Sequence, residues 1–318
     1  MRHPHRPPWR ITVMTPDLSD ATVSTDARVS TMRYPTALGP VQVRISRTAG
    51  VAAPPWVLLH GAAGSWKTFR ELQAARNFPT GVDTVVIDLP GWGDSPGVGT
   101  FTIESQAAAV VEVLTLAGYR QWRLFGHSMG AVPALEIAAR EPDRTLAVIV
   151  LSPTSVIASG AFRRPWRNLL TMGPLLGMKA IMRFLQLTGV LAPRVVAVAR
   201  RTGLLRLVLR PFVVDPAALT GPVVDALAVD ARPAAFAVAA RALKHYDFSH
   251  WALAGGTHLV LRGERDVFTP AAEIRELARL LPDARAHVLP GTGHFAQVED
   301  PEAVAEFLVR ETVSPPNA

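Results

Sequence analysis

The spacing of apolar and polar positions changes along the chain, and each change marks an element. Val41 to Ser46 alternates like a half-buried strand, whereas Trp56 to His60 and Thr84 to Asp88 are short apolar runs that end near glycine or proline, as buried strands do. Glu104 to Ala117 then repeats with helical spacing and stops at Gly118. Trp122 to Phe125 reads as a strand, Ser128 to Arg140 as a helix and Leu146 to Leu151 as another strand. The alternation resumes late, with strand His258 to Leu261, helix Ala271 to Leu281, strand Arg285 to Leu289 and helix Pro301 to Arg310. Strands alternating with helices predict a parallel sheet covered on both faces.

Two stretches break this rhythm. Residues 1 to about 30 are polar, proline-bearing and aperiodic, and are expected to form a mobile tail. Between about 154 and 235, helix-like segments rich in Leu, Val, Met and Arg are separated by Pro165, Pro174, Pro193, Pro211 and Pro216. This segment predicts a helical cap inserted into an α/β core made of residues 31–153 and 236–318.

Composition narrows the possibilities without changing that outline. The 318 residues are 49% apolar and 19% charged, as expected for a globular chain with a sizeable core. The absence of cysteine excludes a disulfide framework, a cysteine nucleophile and thiolate metal sites. Arg2, His3, His5, Arg6 and Arg10 precede no apolar run of signal-peptide length, so a cytoplasmic location is expected. Arg183, Arg194 and Arg206 interrupt the longest apolar region before it reaches the length of a spanning helix.

The chemistry concentrates in turns that follow strands. Gly126-His127-Ser128-Met129-Gly130 lies between a strand and a helix. A GxSxG pattern arises by chance in roughly one chain in ten of this length, but that context makes it a nucleophile elbow with an exposed serine. A serine hydroxyl needs a base and an orienting carboxylate. His294, in the glycine-rich loop Gly291-Thr-Gly-His-Phe295 after the last strand, fits the base. Asp266, in Arg262-Gly-Glu-Arg-Asp266 after the preceding strand, fits the acid.

Glu264 competes with Asp266, and Asp266 has an alternative role as a cap for the helix near Pro270. The turn after Leu151, Ser152-Pro-Thr-Ser155, offers no carboxylate. The amides of Met129 and of Ala62, in His60-Gly-Ala-Ala-Gly-Ser65, are the candidate oxyanion donors. His60 and His127 flank the site and read as structural. Asp88 and Asp94 read as loop scaffolding, with no suitably spaced histidine to make a metal site of them. His245 and His250 lie five apart, which is also not a zinc spacing, so no metal is expected.

Taken together, HGAAGS, DLPGWGDS, GHSMG, GERD and GTGHF resemble the α/β-hydrolase superfamily from about Val41 to Leu308, the cap apart. The resemblance implies an α/β-hydrolase fold: an eight-stranded, mostly parallel sheet flanked by helices, a helical lid over a Ser, Asp, His triad, and no cofactor. Relatives that open epoxides or displace halide carry aspartate where Ser128 stands and are set aside. Serine-bearing relatives include carboxylesterases, lactonases, C–C bond hydrolases and cofactor-free haloperoxidases. All share the triad, so it does not choose among them.

The leading expectation is hydrolysis of an ester or related acyl bond in a largely apolar small molecule, through an acyl-enzyme on Ser128. Phe162, Trp166, Leu169, Met172 and Phe184 of the cap are expected to line the substrate pocket. A lyase, perhydrolase or C–C hydrolase with the same residues, and a non-catalytic receptor or accessory protein, are the alternatives.

The net charge of +7 is not matched by a nucleic-acid motif, so no nucleic-acid partner is expected. The charge is concentrated: Arg163 through Arg210 holds ten basic residues and no Asp or Glu. Three readings stand for it: arginines snorkelling over apolar surface, a clamp on a carboxylate or phosphate of the substrate, or contact with an anionic membrane through an amphipathic helix such as Arg200 to Arg210.

Overall fold

A computed structural model describes residues 29–313 apart from 49–52, 98, 217, 218, 220 and 282. Eight strands form one sheet: β1 (Val29–Tyr34), β2 (Val41–Ser46), β3 (Trp56–Leu59), β4 (Thr84–Ile87), β5 (Trp122–His127), β6 (Thr145–Leu151), β7 (Thr257–Gly263) and β8 (Arg285–Leu289). Their order across the sheet is β1-β2-β4-β3-β5-β6-β7-β8; β2 runs antiparallel to both of its neighbours, and every other pair is parallel. The central strands β3, β4 and β5 are buried along their whole length, which is why they appear in the sequence as apolar runs rather than alternations.

Helices α1 (Arg70–Ala74), α2 (Ile103–Leu116) and α3 (Ala131–Arg140) lie among the first strands. Helices α4 (Val156–Arg163), α5 (Gly173–Leu187), α6 (Ala192–Arg201), α7 (Leu204–Leu209), α8 (Gly221–Val229) and α9 (Pro233–His245) occupy the excursion between β6 and β7. Helices α10 (Ala271–Leu280), α11 (Ala296–Glu299) and α12 (Pro301–Val313) complete the chain. The sheet separates two apolar clusters. One includes Val57, Leu59, Leu124 and Val150 with α2 and α3; the other includes Trp56, Leu58, Phe125 and Ile149 with α12. Neighbouring residues on a strand fall into opposite clusters, as the pleat demands.

Three boundaries differ from expectation. Residues 1–28 lie outside the described residues, and Val29 already belongs to β1, an edge strand with most side chains exposed and therefore little apolar signal. The helix after Ser128 starts with a 3₁₀ turn over Ser128–Gly130 before α3. Helix α9, divided by a boundary at 235, packs on α4 and α5 and so continues the cap to His245. The expected helix from Arg200 to Arg210 is also interrupted. Gly203 adopts a left-handed conformation (φ 77°) between α6 and α7, which glycine tolerates without a Cβ clash.

Among the described residues, no single helix is long and apolar enough to cross a membrane.

Candidate active site

The elbow depends on two close backbone approaches. A Cβ on Gly130 would lie 2.2 Å from the Leu59 carbonyl oxygen of β3, and one on Gly126 would lie 2.6 Å from the Gly130 carbonyl oxygen. Both distances are below van der Waals contact, so only glycine lets α3 start directly over the strands. Between them Ser128 takes a left-handed conformation (φ 53°), a strained position for a side chain-bearing residue, which lifts its hydroxyl off the strand end.

Ser128 Oγ lies 2.9 Å from His294 Nε2, and His294 Nδ1 lies 3.0 and 3.1 Å from the two Asp266 carboxylate oxygens. The Nδ1 proton is assigned from this network: with Asp266 accepting at Nδ1, Nε2 is left to accept from the serine hydroxyl. All three residues are buried. Burial pushes the Asp266 carboxyl up, but the His294 charge and hydrogen bond, together with the Phe268 amide, outweigh it and hold the group below the usual carboxylate range.

Asp266 also accepts from the amides of Phe268 (2.8 Å) and Thr269 (3.1 Å), so it organises its own loop while facing His294. It does not cap α10, whose N-cap position is Pro270. Glu264 instead accepts from the Gly291 amide at 3.0 Å at the surface.

The two other histidines serve as struts. His60 Nδ1 donates to the Gly61 carbonyl (2.8 Å) and Nε2 accepts from the Leu89 amide (3.1 Å), which fixes the loop that carries Ala62. His127 Nε2 donates to the His294 carbonyl (2.9 Å), and burial, then the nearby His294, push its imidazole down to about 3. Asp88 accepts from the amides of Trp66 (2.7 Å) and Asp94 (3.0 Å), joining two loops behind the site. Among the described residues, no group of three His, Asp or Glu side chains could hold a metal ion.

Ser128 and His294 open on a cavity of about 50 Å³. Ala62 and Met129 line the same cavity as Ser128; the Met129 amide sits in the first turn of a helix, where N–H groups lack intrahelical partners. Of the five cap residues expected here, only Phe162 lines the cavity. Met172 is buried but contributes to the core instead. Trp166, Leu169 and Phe184 point to solvent, with Trp166 88% exposed. The phase of α5 explains Phe184: Leu175, Met178, Met182 and Leu185 form its inward stripe, and Phe184 falls outside it.

The residues that do line the cavity include several that sequence reasoning missed. Thr154 Oγ1 lies 3.2 Å from Ser128 Oγ. Phe212, from the cap, stacks on Phe268 with 4.2 Å between centroids, and both rings flank the His294 imidazole. The Phe212 carbonyl also accepts from the His294 amide at 2.7 Å. Phe268 stands two residues after Asp266 and Phe295 directly follows His294, a signal that was present; Thr154 and Phe212 gave none.

The model of the alpha/beta hydrolase family matches residues 56–307, which include the elbow, both partner loops and the cap. The chain belongs to the alpha/beta hydrolase family. Within the family, a stretch of 114 residues is 32% identical to an sn-1-specific diacylglycerol lipase of Xenopus laevis, covering 35% of this chain and 36% of that protein. The chain thus matches only about a third of that lipase's length.

A 2-hydroxy-6-oxononadienedioate/2-hydroxy-6-oxononatrienedioate hydrolase of Comamonas testosteroni is 24% identical over 263 residues, covering 78% of this chain and 83% of that one. Among solved structures, an esterase of Thermogutta terrifontis shares the fold at a TM-score of 0.64 and 21% identity, covering 89% of this chain and 99% of its own. A hydrolase from a Medee basin deep-sea metagenome does so at 0.68 and 17%, covering 90% and 99%.

Proposed function

We propose that this hydrolase cleaves carboxylic esters of small, largely apolar molecules through an acyl-enzyme on Ser128. The observation that carries the reading is the unbroken hydrogen-bonded series Ser128, His294, Asp266 beneath an apolar cavity. In this reading His294 takes the Ser128 proton as Oγ attacks the acyl carbonyl. The amides of Ala62 and Met129 hold the resulting oxyanion, and His294 returns the proton to the leaving alcohol. Water, activated by His294, then attacks the acyl carbon and releases the acid and free Ser128. Asp266 keeps the imidazole in the tautomer that the first step needs and stabilises the imidazolium that forms.

The Comamonas relative, named for a dicarboxylic substrate, supplies a second reading in which the same triad acts on a keto acid. The lining of the cavity favours the ester: it is Phe162, Leu175, Phe236 and similar side chains, with no Arg or Lys to meet a carboxylate. A cavity of about 50 Å³ has room for only a few water molecules, so admission of an ester also requires the cap to shift.

Initial rates on p-nitrophenyl esters from acetate to dodecanoate test the proposal. The wild-type chain is expected to turn over a subset of them, and Ser128→Ala to lose about 10⁴-fold or more in kcat. Equal rates for the two proteins, or no turnover by either together with no labelling of Ser128 by a phosphonate, would exclude it.

A further inference from the structure

The outward surface of the cap has the wrong composition for water alone. Leu170, Leu187, Val190, Leu191, Val198 and Leu207 are all at least half exposed, and Leu170 is fully so. They share α5 to α7 and the turns around them with the ten basic residues of Arg163–Arg210, a stretch without a single acid. Helical spacing mixes the two kinds of residue. Leu191, Arg194, Val198 and Arg201 recur three or four positions apart, all exposed, and so form one stripe along α6 in which apolar and cationic groups alternate. α6 buries none of its residues, and it packs beside both α5 and α7, whose Leu187 and Leu207 are also exposed. The pair Gly173–Leu187 and Gly189–Arg201 is apolar enough in composition for a membrane span, but bends by 110°. That shape suits a hairpin lying in an interface rather than crossing it.

We infer that this face of the cap docks on an anionic phospholipid bilayer, with Leu187, Val190 and Val198 entering the headgroup boundary while Arg194 and Arg201 meet lipid phosphates. The alternatives fit the same surface less well. A second copy of the chain would set two cationic stretches, neither holding an acid of its own, against each other. A nucleic acid would satisfy the arginines but leave the aliphatic side chains without stacking partners. A bilayer supplies both an apolar layer and negative charge in the arrangement the stripe presents. Docking stands independently of the triad, since none of these residues lines the cavity over Ser128.

Co-sedimentation of the full chain with phosphatidylcholine vesicles, with and without about 30 mol % phosphatidylglycerol, tests the inference. The wild type and Ser128→Ala are expected to bind the anionic vesicles equally, and both to be released as salt rises from about 0.05 to about 0.5 M. Arg194→Gln and Arg201→Gln should each weaken partitioning about fivefold. Leu187→Asp should weaken it roughly tenfold or more. Because Leu187 is 71% exposed, its urea midpoint should match the wild type and so separate docking from folding.

Three results would each overturn the inference: sedimentation no greater than without vesicles, equal binding to neutral and anionic vesicles, or full binding by Leu187→Asp. A dimer that Leu187→Asp converts to monomer, with vesicles binding neither, would overturn it in favour of self-association.

Discussion

Glu299 offers a test of how the cap and the loop that carries His294 hold each other. One carboxylate oxygen accepts from the Val214 amide of the cap at 2.6 Å, and the other accepts from the Gly293 amide at 2.7 Å, one residue before His294. Glu299→Gln keeps one acceptor and turns an NH₂ toward the other amide, so at least one charge-assisted hydrogen bond is lost. Such a bond contributes about 1.5–3 kcal/mol, and the lower half of that range applies here because the contacts are only partly buried. Glu299→Ala removes both, and should cost about twice as much.

Displacement of the Gly293 backbone moves His294 relative to Ser128, and a misplacement of about 1 Å costs on the order of 100-fold in rate. The expected result is therefore an urea-midpoint loss equivalent to about 1.5–2 kcal/mol for Glu299→Gln, with kcat on a p-nitrophenyl ester reduced about 30- to 100-fold. Glu264→Gln is the control, because Glu264 accepts from the Gly291 amide of the same loop but at the surface. If Glu299→Gln and Glu264→Gln proved alike in both stability and kcat, the coupling of the cap to His294 through Glu299 would be refuted.

Two further outcomes follow from the geometry of the elbow. The His127 imidazole is pushed by burial to about 3, below its value of about 6.5 in an unfolded chain, so the unfolded state binds the proton first and stability falls as pH drops below about 6.5. Its share of that loss between pH 7 and 4.5 is on the order of 2–3 kcal/mol, and urea unfolding of His127→Gln across this range should show a dependence shallower by that amount. Gly130→Ala would place a methyl 2.2 Å from a backbone carbonyl that cannot rotate away, so its urea midpoint should fall by about 3 kcal/mol or more, and a midpoint within error of wild type would disprove the close approach.

The meeting of Ser128, His294 and Asp266 was legible in the sequence because each lies in a short turn after a strand and carries its signal locally. Ser128 has glycines on both sides within two residues, His294 follows Gly291 and Gly293, and Asp266 ends GERD. The apolar runs of β3 and β4 were legible for a related reason, since a strand buried on both faces needs no alternation.

The cavity wall was not legible, because it depends on the phase and crossing of helices that meet only in the fold. Trp166, Leu169 and Phe184 are as apolar as Phe162, yet a rotation about their helix or turn axes sends them to solvent. Thr154 and Phe212 reach Ser128 and His294 from 26 and 82 positions away, and nothing in their immediate neighbours marks them. Residue type alone could not separate these cases.

The carboxylates that touch the cap give it an uneven mechanical character. Glu273 of α10 accepts from Ser155 Oγ and from the amides of Val156 and Ile157, fixing the first turn of α4; Glu299 holds Val214; and Asp230 accepts from Ser65 Oγ at 2.6 Å, tying the end of α8 to the loop that carries Ala62. Each of these anchors lies beside a residue of the site: Thr154 next to Ser155, Phe212 two residues before Val214, Ala62 three before Ser65. Between Arg163 and Arg210 the chain has no carboxylate at all, and α6 buries no side chain.

Roots anchored by carboxylates and a crown with none of its own meet two demands that a uniformly rigid cap would set against each other. The roots keep Thr154, Phe212 and Ala62 in register with Ser128, where sub-ångström geometry governs rate. The crown, whose own stretch holds no carboxylate and whose α6 buries no side chain, is the part expected to shift when a substrate larger than the closed cavity is admitted.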